Sequence, residues 1–287
     1  MEMREAVIVA AVRTPIGKAK RGGLATVRAD EMAGIVIKEL LNRTPKLDPA
    51  DIDDVILGCA FPEGEQGMNM ARLTAMGAGL PYTVPAETIN RFCSSGVQSI
   101  AHAAQGIMSG QIEVAIAGGA ESMTQVPMTG YKFAPNLAQA ESNPEAFTNM
   151  GLTSENVAEK YNVTRAEQDA FAVKSNQKAA KAVDSGLFDA EIIPVDVEVV
   201  EVGANGKPAT RKYTVSRDEG PRGNSTVEGL ARLGTPFKTN GTSTAGNSSQ
   251  MSDGAAAVII MSAEKAEELG IKPLARYVSY AVGGVPP

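Results

Sequence analysis

The sequence predicts an α/β chain built on a mixed, mostly parallel sheet with helices, and three observations predict it. Apolar runs alternate with apolar residues at helical spacing over the first 120 residues. The runs are continuous rather than every second residue, the signature of strands buried on both faces. After a long irregular stretch the same style returns at Ala255–Met261.

In order, Ala6–Val12 is the first such strand. Met32, Ile35, Val36 and Leu40 then repeat at helical spacing behind Asp30, a cap candidate. Val55–Ala60 is a second strand. A helix of small residues near Met70–Gly79 closes at Gly79 and Pro81. Ala86–Asn90 is a short third strand. Val97, Ile100, Ala101, Ala104, Ile107 and Met108 mark one face of a third helix, stopped by Gly110. Val114–Ala117 runs into Gly118 and Gly119 as a fourth strand. This β-α-β-α-β-α-β order argues for a layered sheet.

Near Glu121 the pattern breaks. Pro127, Pro135 and Pro144 punctuate a loop-rich stretch. Thr164 and Glu167 form a capping box for a helix ending near Gly186. Val195–Val202 and Ala209–Ser216 alternate like strands about the turn residues Asn205 and Gly206. After Ala255–Met261 come a short helix at Ala263–Leu269 and a strand at Leu274–Val282, with no helix following it. The domains expected are a core of residues 1–120 and 250–270, an insertion at 121–249, and the first strand of a further domain at 271–287.

The 287 residues carry 27 Lys+Arg against 33 Asp+Glu, a net charge of −6, which excludes a broad basic face for nucleic acid. With 43% hydrophobic and 21% charged residues the composition is that of a folded domain, and without Trp its core must be aliphatic. Two cysteines and one histidine exclude a disulfide framework, a cysteine zinc site and a multi-imidazole metal site. No metal is expected. The N-terminus lacks a signal-peptide pattern, and no window nears the roughly 18 apolar residues of a membrane span. Cytoplasm and no membrane insertion are the expectations.

The sharpest local feature is Ile89–Gly96, where a strand ends, Cys93 sits on a turn and a helix begins. A thiol at a helix N-terminus meets the positive end of the dipole, which favours the thiolate. The small Ser94, Ser95 and Gly96 leave room for a substrate. A nucleophile that forms a thioester is one reading; a buried structural cysteine is the other. Cys59, inside a buried strand, reads as core. His102 is nine residues from Cys93, about 13.5 Å along a helix and about 180° around it, so it does not serve as its base. The polar, small-residue run Thr242–Gly254 suggests hydroxyl and backbone groups facing a ligand, or a plain loop and cap. Arg13, Lys18, Lys20 and Arg21 form a basic cluster for phosphates, an interface or solvent. No Walker loop and no G-x-G-x-x-G following a strand is present.

Together these stretches resemble the thiolase family. Ile89-Asn90-x-x-Cys93-Ser94-Ser95-Gly96-x-x-Ser99-Ile100 is similar to its acyl-cysteine signature. Val12–Gly17, Ala117–Met123 and Thr244–Ser249 resemble further family stretches, in family order and across the whole chain. Met150–Ala158 looks closer to the degradative 3-ketoacyl-CoA thiolases, because biosynthetic acetoacetyl-CoA thiolases tend to carry His where Asn149 stands.

The resemblance implies the thiolase-like layered fold and cleavage of 3-ketoacyl-CoA by CoA, as in fatty-acid β-oxidation, through an acyl thioester on Cys93. It implies CoA contacts from Arg222 at the nucleotide end, Ser249 on the pantetheine arm, and Met150 and Phe237 along the channel. Acyl-CoA and CoA are the expected partners, with CoA a substrate and no other cofactor. A homodimer or homotetramer is expected. The family's activating His lies in a Gly-His-Pro stretch and its second Cys in a Cys-x-Gly-x-Gly stretch, and neither occurs in this sequence. The expectation is therefore an N-terminal part of a thiolase, with the second half-repeat largely missing and little turnover alone. Alternatives are a biosynthetic acetyl-CoA C-acetyltransferase, a ketoacyl synthase or hydroxymethylglutaryl-CoA synthase, and a non-catalytic CoA-binding or dimerisation module.

Overall fold

A computed structural model describes residues 3–202 and 206–287. The strands are β1 (Ala6–Arg13), β2 (Gly17–Lys18), β3 (Asp54–Gly58), β4 (Ala86–Ile89), β5 (Val114–Ser122), β6 (Val195–Val202), β7 (Pro208–Val215), β8 (Ser252–Ser262) and β9 (Ala275–Arg276). The helices are α1 (Ala29–Arg43), α2 (Met70–Gly77), α3 (Ser95–Met108), α4 (Leu137–Ser142), α5 (Met150–Tyr161), α6 (Arg165–Asp184), α7 (Val227–Ala231) and α8 (Ala263–Glu268).

The main sheet has the order β4-β3-β5-β8-β1-β9, with β2 also paired to β8. β3 pairs in parallel with β4 and β5. β8 lies antiparallel between β5 and β1, so β1, β3, β4 and β5 all point one way. Both faces are buried, and the side-chain alternation divides each strand between two cores. Val55, Leu57, Val114, Ile116, Ile259 and Met261 join the cluster containing Met32, Ile37 and Leu40 of α1. Ile56, Ala115, Ala117 and Ile260 join Ala103, Ala104 and Ile107 of α3 on the other face. Continuous apolar runs are what a doubly covered sheet demands.

The chain forms two compact units. The first takes the chain as far as Tyr131, with Asp189–Glu219 and Met251–Ala281; the second comprises Lys132–Phe188, Gly220–Gln250 and Val282–Pro287. The antiparallel hairpin of β6 and β7 falls in the first unit, and Arg13 bridges to Ile192 at its approach. Of the expected turn between these strands, Asn205 lies outside the described residues; Gly206 has φ +73°.

Four local expectations are corrected. Asp30 stands in the first turn of α1, and Arg28 holds the cap position. Val97 is exposed, because the buried face of α3 runs through Gln98, Ser99, Ala101 and Ala104. The strand expected at Leu274–Val282 is only Ala275–Arg276, two residues paired to the edge of β1; Leu274, Val278 and Val282 are exposed, with no described layer over them. Arg13 is not part of a free basic loop: its guanidinium makes a bidentate pair with Asp218 (2.7 and 2.9 Å) and reaches Glu191 at 2.7 Å. Among the described residues no helix is long and apolar enough to cross a membrane.

Candidate active site

Residues Asn90–Ser94 form a short exposed turn between β4 and α3. The turn is built by local side-chain bonds. Asn90 Oδ1 accepts from Phe92 N (2.8 Å), and Asn90 Nδ2 donates to Ala60 O (2.9 Å). Ser95 Oγ accepts from Arg91 N (2.8 Å) and donates to Phe92 O (2.6 Å). Phe92 is thereby held at φ +45°, a conformation that a bulky residue adopts only when its surroundings impose it. Its ring also packs on Phe61, with centroids 5.9 Å apart.

Cys93 follows this strained residue and precedes Ser94, the N-cap of α3. Its side chain is exposed. The helix behind it is seated by close backbone approach: a Cβ on Gly58 would lie 2.5 Å from the Ser95 carbonyl carbon and 2.8 Å from Gly96 N. Ser99 Oγ adds a bond to Gly118 O at 2.8 Å. Ser94 N and Ser95 N donate back into the turn, to Arg91 O (3.2 Å) and Phe92 O (3.0 Å), which fixes this helix end. The start of a helix favours negative charge on a reacting oxygen beside it.

Cys59 contrasts in every respect. It is buried at the end of β3 among Gln66 and Glu121. Burial first, and the Glu121 carboxylate second, push its thiol up to about 12. Glu121 is itself held by Ala60 N and Gln66 Nε2, both at 2.6 Å, which closes a buried polar knot. His102 is exposed on α3, 3.9 Å from Glu87.

In the second unit the expected CoA residues are all exposed. Met150 opens α5. Phe237 lies over the next residue, since a Cβ on Gly151 would meet its ring at 2.1 Å, so Met150 and Phe237, the two residues expected along a channel, flank one glycine. Arg222 sits on a loop whose backbone N donates to Asn176 of α6 at 3.1 Å. Ser249 lies at the end of the run from Thr242. Asn149 caps α5, its Oδ1 accepting from Leu152 N at 3.0 Å. Two buried carboxylates that sequence reasoning did not single out, Glu155 and Asp169, bind that run from Thr242. Glu155 stands inside the Met150–Ala158 motif, and Asp169 four residues after Arg165, a helical ion-pair spacing visible in the sequence. Among the described residues no cluster of three or more His, Cys, Asp or Glu is placed to hold a metal ion.

The model of the "Thiolase, N-terminal domain" family matches residues 6–264. The chain belongs to the thiolase family. It is 57% identical over 285 residues to a 3-ketoacyl-CoA thiolase of Bacillus subtilis (strain 168), covering 99% of this chain and 73% of that protein. It is 44% identical to the peroxisomal 3-ketoacyl-CoA thiolase B of Mus musculus, covering 99% of this chain and 66% of that protein. The crystal structure of the Bacillus anthracis acetyl-CoA acetyltransferase superposes with a TM-score of 0.84 at 39% identity, over 99% of this chain and 72% of that one. Within the thiolase fold, the turn before α3 is where this chain presents its one exposed thiol.

Proposed function

We propose that this chain carries the acyl-cysteine step of 3-ketoacyl-CoA thiolysis. The observation that carries the reading is Cys93, an exposed thiol on a strained turn at the mouth of α3. The Cys93 thiol gives up its proton and, as the thiolate, attacks the C3 ketone; the C2–C3 bond breaks, and its electron pair leaves on C2 of acetyl-CoA, which takes up a proton. The acyl group stays on sulfur. The thiol of a second CoA then attacks this thioester, its proton passes to the Cys93 sulfur, and acyl-CoA departs. In this reading backbone N–H groups at the start of α3 stabilise the developing oxyanion.

In this reading the second unit cradles CoA, with Arg222 toward the nucleotide phosphates, Ser249 on the pantetheine arm, and Met150 and Phe237 along the channel. The exposure of all four and the Phe237–Gly151 contact support it. CoA is a substrate here, and no further cofactor is called for. Asn149 as a helix cap, with relatives named 3-ketoacyl-CoA thiolase, favours degradation over the biosynthetic reading that the acetyltransferase neighbour's name would suggest. Association into dimers or tetramers belongs to the same reading; β4, an edge strand with one described neighbour, offers a pairing edge. An exposed free thiol suits a reducing compartment, the cytoplasm in this proposal.

Intact-protein mass spectrometry after adding a 3-ketoacyl-CoA tests it. The expected result is one acyl adduct that disappears in Cys93→Ala. An adduct that survives the substitution, or none on the folded protein, overturns the reading.

A further inference from the structure

Two stretches far apart in sequence, Met150–Ala158 and Thr242–Ser249, meet at buried carboxylates in the second unit. Glu155 of α5 is 3% exposed. It accepts from Thr242 N at 2.9 Å, Thr242 Oγ1 at 2.9 Å and Ser243 N at 2.8 Å. Ser154 Oγ and Ser243 Oγ lie 2.7 Å apart beside it. Asp169 of α6, 1% exposed, accepts from Asn247 Nδ2 at 2.9 Å and Arg165 Nε at 2.8 Å. Asn247 then closes the run on itself: its Oδ1 accepts from Thr244 N at 2.7 Å, and its Nδ2 donates to Thr242 O at 3.0 Å.

An ionised carboxylate leaves water only where other donors replace it. All the hydrogen bonds found at Glu155 come from Thr242 and Ser243. The carboxylate therefore dictates where this segment lies, and Asn247 on Asp169 fixes its far end. Ser248 and Ser249 follow directly and remain exposed. Gly246 permits the packing, since a Cβ there would meet Leu233 at 2.6 Å and Leu230 at 2.8 Å.

We propose that Glu155 is a positioning residue for CoA. It holds Thr242–Asn247 in one conformation, so that Ser249 is already in place for the pantetheine arm instead of being ordered on binding. The inference rests on the proposed function, in which Ser249 touches CoA.

The test is calorimetric titration of CoA into the full chain and into Glu155→Gln, Ser249→Ala and the double variant. An amide presents one acceptor and an N–H₂ where the carboxylate presents two acceptors, so Glu155→Gln leaves a donor unmet. Each single variant is expected to bind CoA ~10-fold more weakly, and the double variant about as weakly as Ser249→Ala alone, because coupled residues are not additive. A general loss of structure would instead multiply the two effects. If Glu155→Gln does not fold, Thr242→Val removes one donor to the same carboxylate and is expected to weaken CoA ~3-fold, again without adding to Ser249→Ala. Wild-type affinity in the Glu155 or Thr242 variant, with Ser249→Ala weakened, overturns this inference alone. Failure of the wild-type chain to bind CoA overturns it together with the functional reading.

Discussion

Cys93 and Cys59 share a chemistry and differ only in surroundings. Cys59 is 1% exposed and its thiol is pushed up to about 12, foremost by burial. At that value roughly 10⁻⁵ of it is thiolate near pH 7, and nothing reaches the sulfur. Cys93 stands in the open at a helix start. Iodoacetamide at neutral pH should therefore add one group to the folded chain, on Cys93, with Cys59 modified at least ~100-fold more slowly until the protein is unfolded. Peptide mapping reads this directly, and fast labelling of Cys59 would contradict it. Cys93 was legible in the sequence because its cues are local: a strand end, small residues and a helix start within eight positions. Glu155 and Asp169 were not. Each looks like a solvated charge on a polar helix, and the groups that bury it lie 87 and 78 residues away.

The element that presents Cys93 is α3, and its seat is set by glycine on β3. Gly58→Ala would place a Cβ 2.5 Å from backbone carbon of Ser95, so helix or strand must shift. A loss of about 2–3 kcal/mol is expected in denaturant unfolding, within the range for overpacking. Gly96→Ala is the counterpart within α3: its Cβ would meet nothing within 4 Å, and a gain of about 0.5–1 kcal/mol is expected from reduced unfolded-state freedom. Equal effects of the two substitutions would mean that the close approach at Gly58 is not what seats the helix. At this scale the sequence was readable wherever burial on both faces wrote a continuous apolar run, as in β1, β3, β5 and β8. It was silent on the placement of β8 between β5 and β1, since β8 pairs with residues more than 130 positions away in β5 and more than 240 away in β1, which leaves no local trace. Leu274–Val282 misled for the converse reason: its apolar content resembles a buried strand, while strand pairing to β1 covers only Ala275 and Arg276, flanked by bonds from Leu274 N and Tyr277 N.

Across the whole molecule the two units are stabilised by different means, and acid should separate them. The first rests on an aliphatic core spanning its sheet and α1, in which Cys59 is the one titratable member; its buried carboxylate Asp253 lies outside that core and is held by Ser122 and Thr124. The second has a small apolar cluster of Ala172, Val173 and Leu230, and relies more on its buried carboxylates. Burial alone would raise the Glu155 carboxyl, but the bonds from Ser243 and Thr242, helped by Lys238, outweigh it and hold it below its ordinary 4.5. A group depressed in the folded state contributes stability that is fully present above the unfolded value and is lost as pH falls through the folded one. The window for Glu155 therefore opens below pH 4.5. Asp218, depressed by Arg13 and Ile16 against its own burial, weakens in the same direction, loosening its clamp on Arg13 while the strands' apolar packing is untouched. Hydrogen-exchange protection, corrected for the intrinsic rate at each pH, should thus fall first in α5 and in residues 242–247 as pH drops below the carboxylate range, with β5 and β8 still protected. Glu155→Gln, which has no charge to lose, should flatten that pH dependence in the second unit and start from lower protection at neutral pH. Simultaneous loss in both units, or an unchanged profile in the variant, would show that a global transition rather than Glu155 governs the acid limb.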